Sequence, residues 1–131
     1  MLTISPEKDK LFLEKIFSNC HADGMEPAVL TAKENGKLLG YAAIDLKDYT
    51  VRILEFAMVG NEKLTGLSTE EQQLADSLIK AVASYAMNRN VFLLSSSYEP
   101  AFPLLTSFGF QQNDNKMRID LSRLIKKCKR C

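Results

Sequence analysis

The residues best placed to do chemistry lie between Val51 and Tyr85. There an apolar run, VRILEFAMVG, passes through the polar stretch NEKLTGLS into TEEQQLADSLIKAVASY. The pattern predicts a strand buried on both faces, a loop and a long amphipathic helix. A helix N-terminus gathers unpaired backbone N–H groups at the positive end of its dipole, which suits a phosphate-bearing ligand. The same stretch carries a competing signal. Ser68-Thr69-Glu70-Glu71 reads as a capping box, with Ser68 as N-cap and Glu71 at N3, so the helix satisfies its own amides and sets negative charge beside them. A second chemistry, zinc ligation, has Cys20, His21, Cys128 and Cys131 to draw on. Adjacent Cys-His is poor ligand geometry and the C-x-x-C lacks a second spaced pair, so no metal is expected. His21 reads as a solvated loop residue.

The elements that must position these residues follow from periodicity and turn chemistry. Leu2–Ser5 is a short strand ended by Pro6. Ser5 as N-cap and Pro6 at the first helical position start a helix at once. That helix runs to about Cys20, with Leu11, Phe12, Ile16 and Phe17 as its apolar stripe. HADGMEP is a loop. Ala28–Lys33, the hairpin signal Asn35-Gly36, Leu38–Leu46, a turn at Asp48-Tyr49 and Val51–Val59 make an antiparallel meander. The helix from Ser68 to about Asn88 buries Leu74, Leu78, Val82 and Tyr85, and Asn90 stops it. Val91–Leu94 then returns parallel to Val51–Val59 across the helical crossover. A short helix, about Pro100–Phe108, closes at Gly109. The hairpin Phe110–Asn113 and Lys116–Leu121 turns at Asp114-Asn115. The whole predicts one domain over residues 1–131, α+β with a mixed sheet.

Bulk properties narrow the classes. A chain of 131 residues buries a core without staples, and 46% apolar with 25% charged residues is an ordinary globular composition. A net charge of +1 argues against a nucleic-acid partner. The average hides a basic tail. From Lys116 to Cys131 stand seven cations (Lys116, Arg118, Arg123, Lys126, Lys127, Lys129 and Arg130) against Asp120 alone, and the last part, about 122–131, reads as solvated. No apolar run is long enough to span a bilayer and MLTISPEKDK lacks a signal peptide's apolar core, so no membrane partner and a cytoplasmic location are expected.

Three local patterns carry a family resemblance. LLGYAAI is similar to the second meander strand of the GNAT superfamily of N-acetyltransferases. LIKAVASYAMNRNVFLLSS resembles its main helix and following strand, and AFPLLTSFGF its A-x-x-L-Y-x-x-x-GF motif. Together they cover roughly Asn35 to Met117. The resemblance implies a three-layer α/β arrangement, with a mostly antiparallel sheet of six to seven strands flanked by helices. It implies acetyl-CoA as cosubstrate and an amine as acceptor. The pantetheine arm would pair with backbone at Ala57, Met58, Val59 and Gly60. The pyrophosphate would lie on a [Q/R]-x-x-G-x-[G/A] loop, for which two registers compete. Lys63–Ser68 keeps a cation first, Gly66 fourth and a small residue, Ser68, sixth, with Leu67 between. Glu70–Ala75 has no glycine and two carboxylates. The first is preferred.

Catalytic positions depart further from the pattern. The family's frequent general acid, a tyrosine, is matched here by Leu105, which transfers no proton. Tyr98 stands where the family often has an asparagine, and is the candidate acid near the thioester or else a structural tyrosine. Glu55 is the candidate base on the central strand. By alternation it shares a face with Ile53 and Ala57, and is otherwise a strand carboxylate paired with Arg52 or Lys80. One helix where the family usually has two implies an open acceptor groove. Two functions follow: an N-acetyltransferase using acetyl-CoA and an unidentified amine, or a catalytically inactive GNAT-fold binding or dimerisation module, possible as a homodimer, with a degenerate acetyl-CoA site.

Overall fold

A computed structural model of the chain describes residues 2–20 and 22–122. His21, Cys128, Cys131 and the basic tail beyond Ser122 therefore lie outside the described residues. Seven strands form one sheet in the order β1-β2-β3-β4-β5-β7-β6. They are β1 (Leu2–Pro6), β2 (Met25–Glu34), β3 (Lys37–Lys47), β4 (Thr50–Met58), β5 (Leu93–Ser96), β6 (Gln111–Asn113) and β7 (Lys116–Asp120). Among the described residues three α-helices join them, α1 (Lys10–Ser18), α2 (Thr69–Met87) and α3 (Phe102–Ser107), with a 3-10 turn over Glu99–Ala101. The β4–β5 pair is parallel and every other pair antiparallel. This is the expected three-layer α+β arrangement, with the mixed, mostly antiparallel sheet at its centre. Among the described residues no helix is long and apolar enough to cross a membrane.

The two faces have separate cores. On one face α2 and α3 pack Ala75, Leu78, Val82, Leu104 and Leu105 against strand residues that include Ile44, Val51, Ile53, Phe56, Met58, Leu94 and Met117. On the other, α1 sets Ile16, with Phe12, Leu13 and Phe17, against Val29, Ala43 and Leu54. The turns are those the sequence signals. Asn35-Gly36 and Asp48-Tyr49 both hold positive φ at their two central residues, the twist a two-residue hairpin needs. Asn90 ends the α2 region at φ 59°, as its left-handed tolerance predicts.

Two elements begin later than the sequence indicates. Ser5 and Pro6 do not open α1. Pro6 pairs with Leu30 and the Glu7 N–H reaches the Val29 carbonyl, so strand pairing carries the chain on. Asp9 is the N-cap instead, its carboxylate accepting from the Leu11 and Phe12 amides. The strand expected at Val91–Leu94 forms two residues later, at Leu93–Ser96. Val91 is still tied to the helix end, its N–H donating to the Ala86 carbonyl.

Candidate active site

The parallel pairing of β4 with β5 is short. It runs from Thr50–Leu93 to Ile53–Ser96 and stops, while β4 continues to Met58. Among the described residues, Leu54 to Met58 thus has no strand partner on that edge. Two devices fix the parting point. The first is a β-bulge. Ala43 pairs with Glu55 and the next residue, Ile44, with Ile53, so Leu54 is the extra residue. The second is Ser96. Its hydroxyl donates to the Ile53 carbonyl at 2.8 Å and accepts from the Tyr98 N–H at 3.1 Å. β5 itself ends at Ser96 and the chain passes through Ser97 and Tyr98 into the 3-10 turn at Glu99, so β4 runs on past a fork with the chain leaving β5.

The bulge corrects the face assigned to Glu55. Strict alternation puts Glu55 with Ile53, but the extra residue shifts the phase. Ile53 and Phe56 both enter the α2–α3 core, while Leu54 packs with the α1 core. Glu55 is on the α1 side and accepts a hydrogen bond from the Tyr41 hydroxyl. It pairs with neither cation expected of it. Arg52 binds Asp45 and Asp23, and Lys80 binds Asp76. Tyr41 lies diagonally across from Glu55, opposite Ala57, with Phe12 edge-on to its ring at 5.7 Å. Burial, then the Glu55 hydrogen bond, push the Tyr41 phenol well above its ordinary value.

Tyr98 follows the fork directly and is half-buried against the larger core. Its hydroxyl has no hydrogen-bond partner among the described residues. Burial, then the charges of Glu55 and Glu62, raise its pKa. Cys20 stands at the end of the α1 region and donates weakly to the Ile16 carbonyl at 3.5 Å. Burial, then Glu55 and Asp45, push its thiol up. On this side of the fork lies a cavity of about 310 Å³, bordered by Cys20, Leu54, Ser97 and Tyr98. Leu105 is fully buried in the core, so the position matching the family tyrosine does not reach the fork.

The loop from Val59 to Ser68 holds itself. The Asn61 side chain donates to the Thr65 carbonyl at 2.9 Å and accepts from the Thr65 amide. Leu64 takes a left-handed conformation at φ 56° and puts its side chain into the core, 5% exposed. The strain of that conformation is tolerated because the buried side chain anchors the loop. Gly66 also has a positive φ, 58°, and an added Cβ there would meet nothing within 4 Å. The capping box is present, with Ser68 Oγ accepting from the Glu71 N–H and Glu71 Oε1 from the Ser68 N–H. Among the described residues the amides of Gly66, Leu67, Thr69 and Glu70 make no hydrogen bond. Lys63, earlier in the same loop, is exposed.

These residues fit a pyrophosphate in part. Four amide donors follow one cation along the loop and the start of α2, but Glu71 is fixed at the same end, its pKa lowered first by the Ser68 amide. The unpaired β4 edge fits an extended arm that needs backbone partners. Among the described residues no three His, Cys, Asp or Glu side chains are grouped to hold a metal ion.

Comparison with known proteins bears on the fold. No protein-family model matches the sequence, and no curated protein matches it. The fold, in contrast, is that of GNAT-family acetyltransferases. The ribosomal-protein-S18-alanine N-acetyltransferase of Escherichia coli superposes with a TM-score of 0.64 at 17% identity, over 92% of this chain and 94% of that one. A GNAT family acetyltransferase from Elizabethkingia anophelis, solved with acetyl-CoA bound, gives 0.61 at 16% identity over 92% and 98%. One from Staphylococcus aureus gives 0.62 at 11% over 92% and 99%. The resemblance seen in the sequence is thus borne out at the level of fold.

Proposed function

We propose that this chain is an N-acetyltransferase that holds acetyl-CoA in the β4–β5 fork and passes its acetyl group to an amine arriving from the α1 side. The observation that supports this most is the end of strand pairing at Ile53–Ser96, with β4 running on past the Leu54 bulge. Extended ligands bind by taking the place of a missing strand, because backbone donors and acceptors are already aligned. Ala57, Met58, Val59 and Gly60 would supply that edge. The Gly66 and Leu67 amides, Lys63 and the Ser68 end of α2 would hold the pyrophosphate. Transfer forms a nitrogen–carbonyl bond and breaks the carbon–sulfur bond. Tyr98, protonated at neutral pH, donates to the departing sulfur. Glu55 takes the amine proton directly or through a water.

A titration of the intact chain with acetyl-CoA by calorimetry tests the binding, and release of free thiol in the presence of amines tests the transfer. Saturable heat at micromolar to millimolar ligand and a rise in Tm are expected. Gly66→Val should abolish both, since a β-branched residue resists the left-handed conformation found there. No heat and no Tm shift at millimolar acetyl-CoA would sink the proposal.

Two observations favour the inactive binding or dimerisation module instead. The capping box occupies the Ser68 and Glu71 amides, and leucine stands where the family acid does. Binding without thiol release from any amine would select that reading.

A further inference from the structure

What lines the α1 face beyond Tyr98 bears on the acceptor. α1 covers the β2–β4 part of this face, and among the described residues no helix covers β5 and β7 on the same side. Two cavities follow one another over the uncovered part. The cavity at the fork, about 310 Å³, leads into one of about 380 Å³ that is bordered by Lys47, Asp48, Thr50 and Arg118. Arg52, Ser95 and Lys116 line both, so the two form one trough.

Strand register sets the charges of this trough in a row. Arg52 stands opposite Ser95, and Ser95 opposite Arg118. Their chain neighbours Ile53, Leu94 and Met117 all enter the α2–α3 core, so the three point to the α1 side. Adjacent strands lie about 4.8 Å apart, which sets the Arg52 and Arg118 backbones roughly 10 Å apart across the Ser95 hydroxyl. Lys116, two residues from Arg118, shares its face. The cations differ in what they already hold. Lys47 and Arg52 are bound by Asp23 and Asp45, with the Arg52 Nε to Asp45 at 2.7 Å. Lys116 and Arg118 have no ion-pair partner among the described residues. Asp48, at the far end, is the one acid lining the trough among those residues.

We infer that the acceptor is an amine on a scaffold that also carries an anionic group, a carboxylate or a phosphate. Lys116 and Arg118 receive the anion over Ser95, while the amine reaches the fork at Ser97 and Tyr98. The two to three residues from Ser95 to Ser97 and Tyr98, extended at Tyr98, set the nitrogen about 7–10 Å from the anion. Which end carries the reacting nitrogen rests on the acetyl-transfer reading; the anion site does not.

Four amidated tripeptides, Ala-Ala-X with X as Glu, phosphoserine, Gln or Lys, test the inference on the full chain. Binding is read from backbone amide shifts without acetyl-CoA, and thiol release is then followed with it. The Glu and phosphoserine peptides are expected to bind about five- to tenfold tighter than the Gln peptide, the size of two half-exposed ion pairs. Shifts should centre on Ser95, Ser97 and Lys116. Their rank order tells carboxylate from phosphate. The double variant Lys116→Glu with Arg118→Glu should invert the order in favour of the Lys peptide. Lys116→Gln with Arg118→Gln should level it, and Lys80→Glu on α2 should leave it alone. Equal affinity for the Glu and Gln peptides, or an order unmoved in the double variants, overturns the inference. Charge-ranked binding with no thiol release keeps the anion site and removes the acetyl-transfer reading. Thiol release from all peptides alike does the reverse.

Discussion

The proposed chemistry of the fork rests on two side chains, Tyr98 and Glu55. Because burial and the Glu55 charge raise the Tyr98 pKa, the phenol holds its proton through neutral and mildly alkaline pH. Tyr98→Phe removes that proton and little else, so kcat should fall about 100-fold or more while the acetyl-CoA KM and the Tm stay close to their starting values. The sign of the pH dependence is set by the same shift. An acid whose pKa is raised loses activity only above the ordinary phenol value, about 10, so the rate should not fall on this account below that pH. Cys20 gives a second measurement. Its thiol is pushed up, so at pH 8 a smaller fraction is thiolate than in a free cysteine, and alkylation by iodoacetamide should be slower. Peptide mass spectrometry after timed alkylation reads this directly. The sequence shows a carboxylate on the central strand but not which way it faces. Nothing in Ile53-Leu54-Glu55-Phe56 marks a bulge, since Ile, Leu and Phe suit either core. Tyr41 stands in a run already singled out, yet only the strand register reveals that it meets Glu55.

Segments decided where sequence patterns were ambiguous. Ser5-Pro6 and Asp9 are both sound helix starts, and the choice fell to Asp9 because β1 gains pairing with β2 through Pro6 and Leu30. The late start of β5 has the same kind of cause. Its buried serines lie past the expected strand end at Leu94, but Ser96 serves the Ile53 carbonyl and the Tyr98 amide, a need visible only once the strands are paired. Ser96→Ala should cost about 1–3 kcal/mol in urea unfolding, because it leaves a buried carbonyl without its donor. The Ser68 cap was legible in full, as S-x-x-E before an apolar stripe. Ser68→Ala should lower stability by about 0.5–2 kcal/mol. Glu71→Gln should tighten acetyl-CoA several-fold, since it removes like charge from the end of α2 where the pyrophosphate is proposed to sit. Calorimetry that finds equal or weaker binding in Glu71→Gln would place the phosphates elsewhere.

For the molecule as a whole, acid stability follows from two carboxylates that tie distant segments. Glu7 is lowered first by its Lys33 hydrogen bond, and Asp23 by Lys47 and then Arg52. A depressed carboxylate stabilises the fold above its unfolded value, about 4, and that contribution is lost as pH falls through the folded value. Urea unfolding from pH 7 to pH 2 should therefore show a declining acid limb that Glu7→Gln with Asp23→Asn flattens. The order of the strands was largely legible because each turn carries its own residue chemistry. The strength of each junction was not. Four residue pairs join β4 to β5, where eight join β3 to β4. The sheet is in effect two plates, β1–β4 and β5–β7, sewn by one short seam and backed by the α2–α3 layer. Amide hydrogen exchange should resolve them as separate cooperative units, with opening at the seam releasing Ser95 and Ser96 before the interiors of β2 and β3. A single exchange rate across the seam would mean that the helical layer, rather than strand pairing, governs how this sheet comes apart.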